Sequence, residues 1–130
     1  MKKLACLAAV CALGIVAGAS AAAPSLAPHI YGAQIRGATP AALNAAWLLA
    51  IEQTQFEIAR NGAVVVKGTV AISGNRVTFH DVSGPFACRG AQATGAYTWR
   101  VSGTTLALQR IHDTCAGRSR ILAGMFKRVQ

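Results

Sequence analysis

The chain has 130 residues, with 13 lysines and arginines against 4 aspartates and glutamates, and a formal net charge of +9. That length allows a single small domain and excludes a multi-domain assembly. The cations are spread along the chain and do not interleave with the few aromatic residues, which argues against a stacking platform for specific nucleic-acid recognition. The surplus charge allows an anionic cell-envelope surface as a partner, the alternative being that it serves solubility and reflects a coding bias towards arginine and alanine.

Met1-Lys2-Lys3, an apolar run from Leu4 to Val16 and small residues from Ala17 to Ala23 have the grammar of a Sec-type signal peptide, with cleavage expected after Ala21. The apolar run is too short to span a bilayer comfortably. Residues 1–21 are therefore read as removed, and the mature protein as secreted or held in the periplasm or cell envelope. Setting aside Lys2 and Lys3 leaves eleven cations, nine of them arginine, against the same four carboxylates.

Residues 22–42 read as a flexible lead followed by a short helical turn. Pro24 to Ala38 is rich in Pro, Ala and Gly without a clean period, and Thr39-Pro40 offers an N-cap with proline at the first helical position, so the turn is expected over Thr39–Ala46. From Trp47 the period becomes two. Trp47–Ile51 and Thr54–Arg60 are predicted strands, the second with Phe56 and Ile58 on one face and Gln55 and Glu57 on the other.

Asn61-Gly62 suits a tight hairpin that needs positive φ at both central residues. The strand after it, Ala63–Ser73, is expected to put Val64, Val66, Gly68, Val70 and Ile72 on one face, with Lys67 and Thr69 opposite and a bulge at Gly68. A turn at Gly74-Asn75 leads into Arg76–Val82, with Val77 and Phe79 inward and Thr78 and His80 outward. A long connection through Cys88 precedes Ala96–Val101, the Ser102-Gly103 reversal and Thr104–His112; Tyr97, Trp99 and Val101 share a face, as do Leu106 and Leu108. A last extended run, Ser119–Val129, is expected to bend at Gly124. The fold class is thus all-β: over residues 43–130, one antiparallel meander of seven or eight strands closing into a small barrel, with a two-sheet sandwich as the alternative.

Cys6 and Cys11 fall in the segment to be removed, which leaves Cys88 and Cys115 to pair. A structural disulfide between them is worth about 3 kcal/mol through the entropy of the unfolded chain. Their separation is far from CxxC spacing, so neither a redox pair nor a metal site is expected. Asp113 and Arg118 flank Cys115 and are read as an ion pair or turn-closing hydrogen bonds around the bridge.

The acids and bases of the mature chain are Glu52, Glu57, Asp81, Asp113, His29, His80 and His112. No nucleophile elbow, zinc-protease or phosphate-loop motif accompanies them. His80-Asp81 and His112-Asp113 are adjacent in strands and so point to opposite faces. No catalytic residue, cofactor or enzymatic activity is expected.

Tyr97-Thr-Trp99, the Ser102-Gly103 turn, Leu106-x-Leu108, Asp113-x-Cys115-x-x-Arg118 and Ile121-Leu122 together resemble the C-terminal block of small exported bacterial lipocalin-like proteins. Trp47, following a short helical turn, is similar to the lipocalin Gly-x-Trp signature, with Ala45 where that signature has glycine. The resemblance implies a calycin-type barrel with an open end that takes small apolar ligands, and a cation near the last strand, Arg128 or else Lys127, packed across Trp47.

Two functions follow. One is a non-catalytic carrier in which Phe56, Val66, Val70, Phe79, Tyr97, Trp99 and Leu106 line a pocket for an apolar molecule. The other is a protease-inhibitor-like or cell-surface interaction module that uses a loop or the N-terminal arm. A cavity above about 300 Å³ speaks for the first, and a filled barrel with a protruding arm for the second.

Overall fold

Eight antiparallel strands follow one another around a closed barrel in the structure, a computed structural model that describes residues 23–130. The expected signal peptide, 1–21, lies outside the described residues. In chain order the strands are β1 (His29–Ile35), β2 (Ala45–Ile51), β3 (Gln55–Arg60), β4 (Ala63–Ser73), β5 (Arg76–Ser83), β6 (Thr94–Ser102), β7 (Thr105–His112) and β8 (Phe126–Arg128). Each pairs with the next, and β8 closes the ring on β1 through Tyr31↔Arg128 and Gly32↔Lys127. Among the described residues, the ring leaves no strand without a partner on either side.

The alternating strands build the core as their periodicity requires. In β2 the burial alternates strictly from Ala45 to Leu49, and in β3 Phe56 and Ile58 are buried while Gln55 and Glu57 are exposed. Val77 and Phe79 of β5 are wholly buried and His80 is exposed. Asn61 and Gly62 take φ of 48° and 85°, the positive values the β3–β4 reversal demands. At Gly68 the β4–β5 register shifts, and a Cβ there would collide with the His80 carbonyl oxygen and the Phe56 ring. The bulge and the bare glycine let two backbones approach where the barrel wall bends.

Four expectations are corrected. The flexible lead contains β1, a full barrel strand paired along its length with β2, from His29↔Ile51 to Ile35↔Ala45. Residues before it are also ordered into the core: Leu26 is 1% exposed and its carbonyl accepts a 2.8 Å hydrogen bond from the Tyr31 hydroxyl. The expected helical turn over Thr39–Ala46 is a single 3-10 turn, Ala41–Leu43, because the alternating pattern of β2 already begins at Ala45. The run from Ser119 is not extended throughout; Ala116–Leu122 forms helix α1, and only Phe126–Arg128 is strand. Finally, Val64 is 42% exposed, since a register shift between Ile58 and Ala59 leaves Val65 as the extra residue on β4 and turns Val65 and Val66 into the core in its place.

The two ends of the barrel differ. One end carries the 3-10 turn, the β5–β6 loop and α1. The other has the short reversals β2–β3, β4–β5 and β6–β7, together with the residues that precede β1. They are called here the helix end and the turn end.

Candidate functional site

The barrel axis is filled by side chains. Phe56, Phe79 and Tyr97 stack edge to face, with ring centroids 5.0 and 5.9 Å apart. Val66, Val70 and Leu106 belong to the same buried cluster, and Leu26 joins it from before β1. Six of the seven residues expected to line a pocket are thus together inside the barrel, but as packed core. The seventh, Trp99, is only partly buried. Its indole Nε1–H donates 2.9 Å to the Gly74 carbonyl at the turn end, which draws the ring to the rim of the barrel.

Open space lies at the helix end. An apolar cleft of about 260 Å³ is bounded by Leu43 of the 3-10 turn, Ile58 of β3, Val66 of β4, Phe86 of the β5–β6 loop, and Gly117, Arg118 and Ile121 of α1. Phe86 forms its outer wall; it is 44% exposed, and its ring lies 6.3 Å from that of Trp47. Gly117 adds no side chain, and a Cβ there would meet nothing within 4 Å. Wider depressions, about 590 Å³ around Glu52–Glu57 and about 660 Å³ over the outer wall of β6 and β7, are more open and have mixed polar and apolar linings. Among the described residues, an apolar depression of about 400 Å³ beside Pro24, Trp99 and Val101 is shallow and open to solvent, whereas the helix-end cleft is both apolar and more enclosed.

The cleft is backed by a buried charge cluster. Arg118 is held in two-point contact by Asp113, with Nε to Oδ2 at 2.8 Å and Nη2 to Oδ1 at 2.7 Å. Its remaining N–H groups donate to the Ala93 and Gln92 carbonyls and face Asp81 Oδ1 at 2.9 Å. That last contact is ionic but poorly angled, and Asp81 Oδ1 has no hydrogen-bond partner. Asp81 Oδ2 accepts the Cys88 backbone N–H at 2.8 Å, and Asp113 Oδ2 also accepts the Tyr97 hydroxyl.

These contacts set the ionisation of the cluster. Burial alone would raise the Asp113 carboxyl. The hydrogen bonds from Arg118, Tyr97 and the Cys115 amide, with the Arg118 charge, outweigh it and hold the pKa below the ordinary value. Burial opposes the Arg118 charge, but the two aspartates raise its pKa regardless. Burial and the bond to Asp113 push the Tyr97 hydroxyl well up, so it is a neutral donor. With every guanidinium N–H directed at a protein group, Arg118 has none left for a ligand.

Cys88 and Cys115 are joined in a disulfide, with Cα atoms 6.1 Å apart. The bridge ties the β5–β6 loop to the start of α1, so two walls of the cleft, Phe86 and Gly117, each lie two residues from a half-cystine. Cys88, Cys115 and Asp81 bring their ligand-type atoms within 4.8 Å of one another, yet both sulfurs are consumed by the bridge. Asp113 and Arg118 were expected as an ion pair beside the bridge and are found as one.

Trp47 is 1% exposed, and its Nε1–H donates to the Leu43 carbonyl at 2.9 Å. The expected stacking of Arg128 on it is corrected: Arg128 sits exposed in β8 opposite Tyr31, and Lys127 lies opposite Gly32. The arginine that neighbours Trp47 across a strand pair is Arg60, whose Nε donates 2.9 Å to the Ala42 carbonyl of the 3-10 turn. Sequence reasoning missed Arg60 and Phe86. The first could have been found by counting back from the Asn61-Gly62 reversal to Trp47.

The fold is therefore that of a closed eight-stranded antiparallel barrel, pinned at one end by a disulfide. Comparison of the chain with protein-family models, curated proteins and solved structures finds no match.

Proposed function

We propose that this protein is an exported, non-catalytic binding protein of the lipocalin-like kind, which holds a small, uncharged, apolar molecule at the helix end of its barrel. The observation that carries this reading is the cleft between Phe86 and α1, apolar on every side except where Arg118 borders it. Because Arg118 is fully engaged by Asp113, Asp81 and two carbonyls, a ligand carboxylate would find no free donor there. A volume of about 260 Å³ falls just under the range of drug-sized sites, so the occupant is of the order of one or two rings. Among the described residues, the segment before β1 is folded into the core through Leu26, which favours the cleft over an arm-based inhibitor.

The test is a fluorescence titration with the neutral two-ring probe 1-aminonaphthalene. Wild-type protein is expected to bind it saturably, with one site. Gly117→Leu, which projects a side chain into the cleft while leaving the barrel wall intact, should abolish uptake. Absence of binding to wild-type protein, or unchanged binding by Gly117→Leu, overturns the reading.

A further inference from the structure

The surface is more basic than the composition implies. Of the four carboxylates, Asp81 and Asp113 are buried around Arg118, which leaves Glu52 and Glu57 exposed among the described residues. Glu57 is faced by Lys67 at 3.7 Å. Nine lysines and arginines are exposed against these two acids. Two aspartates buried around one arginine take more negative than positive charge out of the surface, so the outside carries more than its share of cations.

This charge meets a shaped surface on the outer wall of β5, β6 and β7. Arg76, Thr98 and Gln109 form one cross-strand row, Arg76↔Thr98↔Gln109, and Arg100 stands two residues along β6 on the same face. Arg100 is paired with Ala107, whose short side chain leaves a depression beside it. The resulting groove, about 660 Å³ and bordered by Asn75, Thr98, Trp99, Arg100, Ala107 and Gln109, contains no carboxylate. Asp81, the only acid on these three strands, points inward.

We infer that this wall is a docking face for an anionic polysaccharide, with Arg76 and Arg100 engaging its acidic groups and Thr98, Gln109 and Asn75 its hydroxyls. Diagonal neighbours on adjacent strands are roughly 7–8 Å apart, close enough for two guanidinium groups to reach acidic groups along one polymer. Amide and hydroxyl side chains suit sugar hydroxyls. Nucleic acid would require several aromatic faces interleaved with the cations, whereas this groove offers one, that of Trp99, whose indole N–H is taken by the Gly74 carbonyl. A membrane would require protruding apolar side chains, whereas the apolar side chains bordering this groove are the half-buried Trp99 and the short Ala107.

The face lies outside the barrel and is independent of the helix-end cleft, so its test stands whether or not the apolar probe binds. Binding of sodium alginate, a polyuronate, is measured at about 100 mM salt, where long-range charge is largely screened. Two double variants change net charge equally: Arg76→Glu with Arg100→Glu on the wall, and Arg36→Glu with Arg89→Glu away from it. The wall pair is expected to weaken binding at least tenfold, and the control pair less than threefold, with thermal midpoints verifying that both fold. Equal losses in the two variants would reduce the effect to net charge and overturn the inference. So would tighter binding of wild-type protein to a single-stranded oligonucleotide or to anionic vesicles than to alginate.

Discussion

Arg118 and Asp113 meet in a buried two-point ion pair, Nε–Oδ2 at 2.8 Å and Nη2–Oδ1 at 2.7 Å, that fastens the first turn of α1 to the end of β7. Asp81 approaches the same guanidinium from β5, so one cation serves two buried carboxylates. Removing it is far more costly than a surface ion pair would suggest, because both acids would be left in a low-dielectric site. Arg118→Met is expected to destabilise the protein by about 3–5 kcal/mol, measured by urea unfolding. Arg118→Lys should recover little of that, since an ammonium cannot reproduce the two-point geometry. A loss below 1 kcal/mol would show that the cluster is not a fastening.

The same cluster sets the response to pH. The Asp113 pKa is lower in the folded protein than its unfolded value of 3.8. Its stabilisation is therefore complete above that value and is lost as pH falls through the folded pKa. Tyr97 behaves oppositely: its folded pKa lies above 10.0, so its contribution is present below pH 10 and is lost as the phenol ionises at higher pH. The urea midpoint should be flat through neutrality and fall on both flanks. Asp113→Asn is expected to lower the midpoint at pH 7 while flattening the acid flank. An acid flank that keeps its full slope in this variant would assign acid lability to other groups.

The disulfide links segments 27 residues apart, and both ends lie at the mouth of the cleft. Cys115→Ser should lower stability by about 2–4 kcal/mol. The barrel should survive, since its strands are set by the inward apolar face. Far-ultraviolet circular dichroism of the variant checks the second point, and chemical denaturation the first. An unchanged denaturation midpoint would exclude a stabilising role for the bridge.

What could be read in the chain follows from how local each signal was. The strands from β3 to β7 were legible because alternating residues are bounded by Asn61-Gly62, Gly74-Asn75 and Gly103, and the positive φ of Asn61, Gly62, Gly74 and Gly103 marks the reversals. β1 was hidden because Gly32 and Ala33 blur its alternation, and its buried anchor, Tyr31, stands alone in a Pro- and Ala-rich stretch. The helix α1 was hidden for a chemical reason. Its buried positions, 118, 121 and 122, have helical spacing, but the first is arginine, which apolar periodicity does not count. The cleft was illegible because Leu43, Ile58, Val66, Phe86 and Ile121 come from five different elements and loops. No local pattern records that Phe86 folds over the end of the barrel.

The two tryptophans report on opposite ends of the molecule. Trp47 is sealed at the helix end, with its N–H bonded to Leu43, whereas Trp99 stands at the rim of the turn end. Acrylamide should quench Trp99 emission and leave Trp47 nearly untouched, which single Trp→Phe variants can separate. Trp47→Ala is expected to cost about 3–5 kcal/mol, as for other large buried side chains. Trp99→Ala should cost much less and leave uptake of the neutral probe unchanged, because the cleft is at the other end. Loss of probe binding in Trp99→Ala would move the site to the turn end.

Two glycines give a matched pair in which one methyl group has opposite effects. A Cβ at Gly95 would run into the Asp113 carboxylate and the Arg118 guanidinium, whereas one at Gly117 would meet open space. Gly95→Ala must therefore displace the buried ion pair, and overpacking of this kind costs about 1–3 kcal/mol. Gly117→Ala lies in α1, where replacing glycine removes the entropy penalty of a flexible helical residue and should stabilise by about 0.5–1 kcal/mol. Thermal denaturation of both variants, beside wild type, makes the comparison. The added methyl at Gly117 also narrows the cleft, so the more stable variant should bind the apolar probe more weakly. If Gly117→Ala gains stability without losing probe affinity, the probe is bound elsewhere and the cleft is only a packing defect.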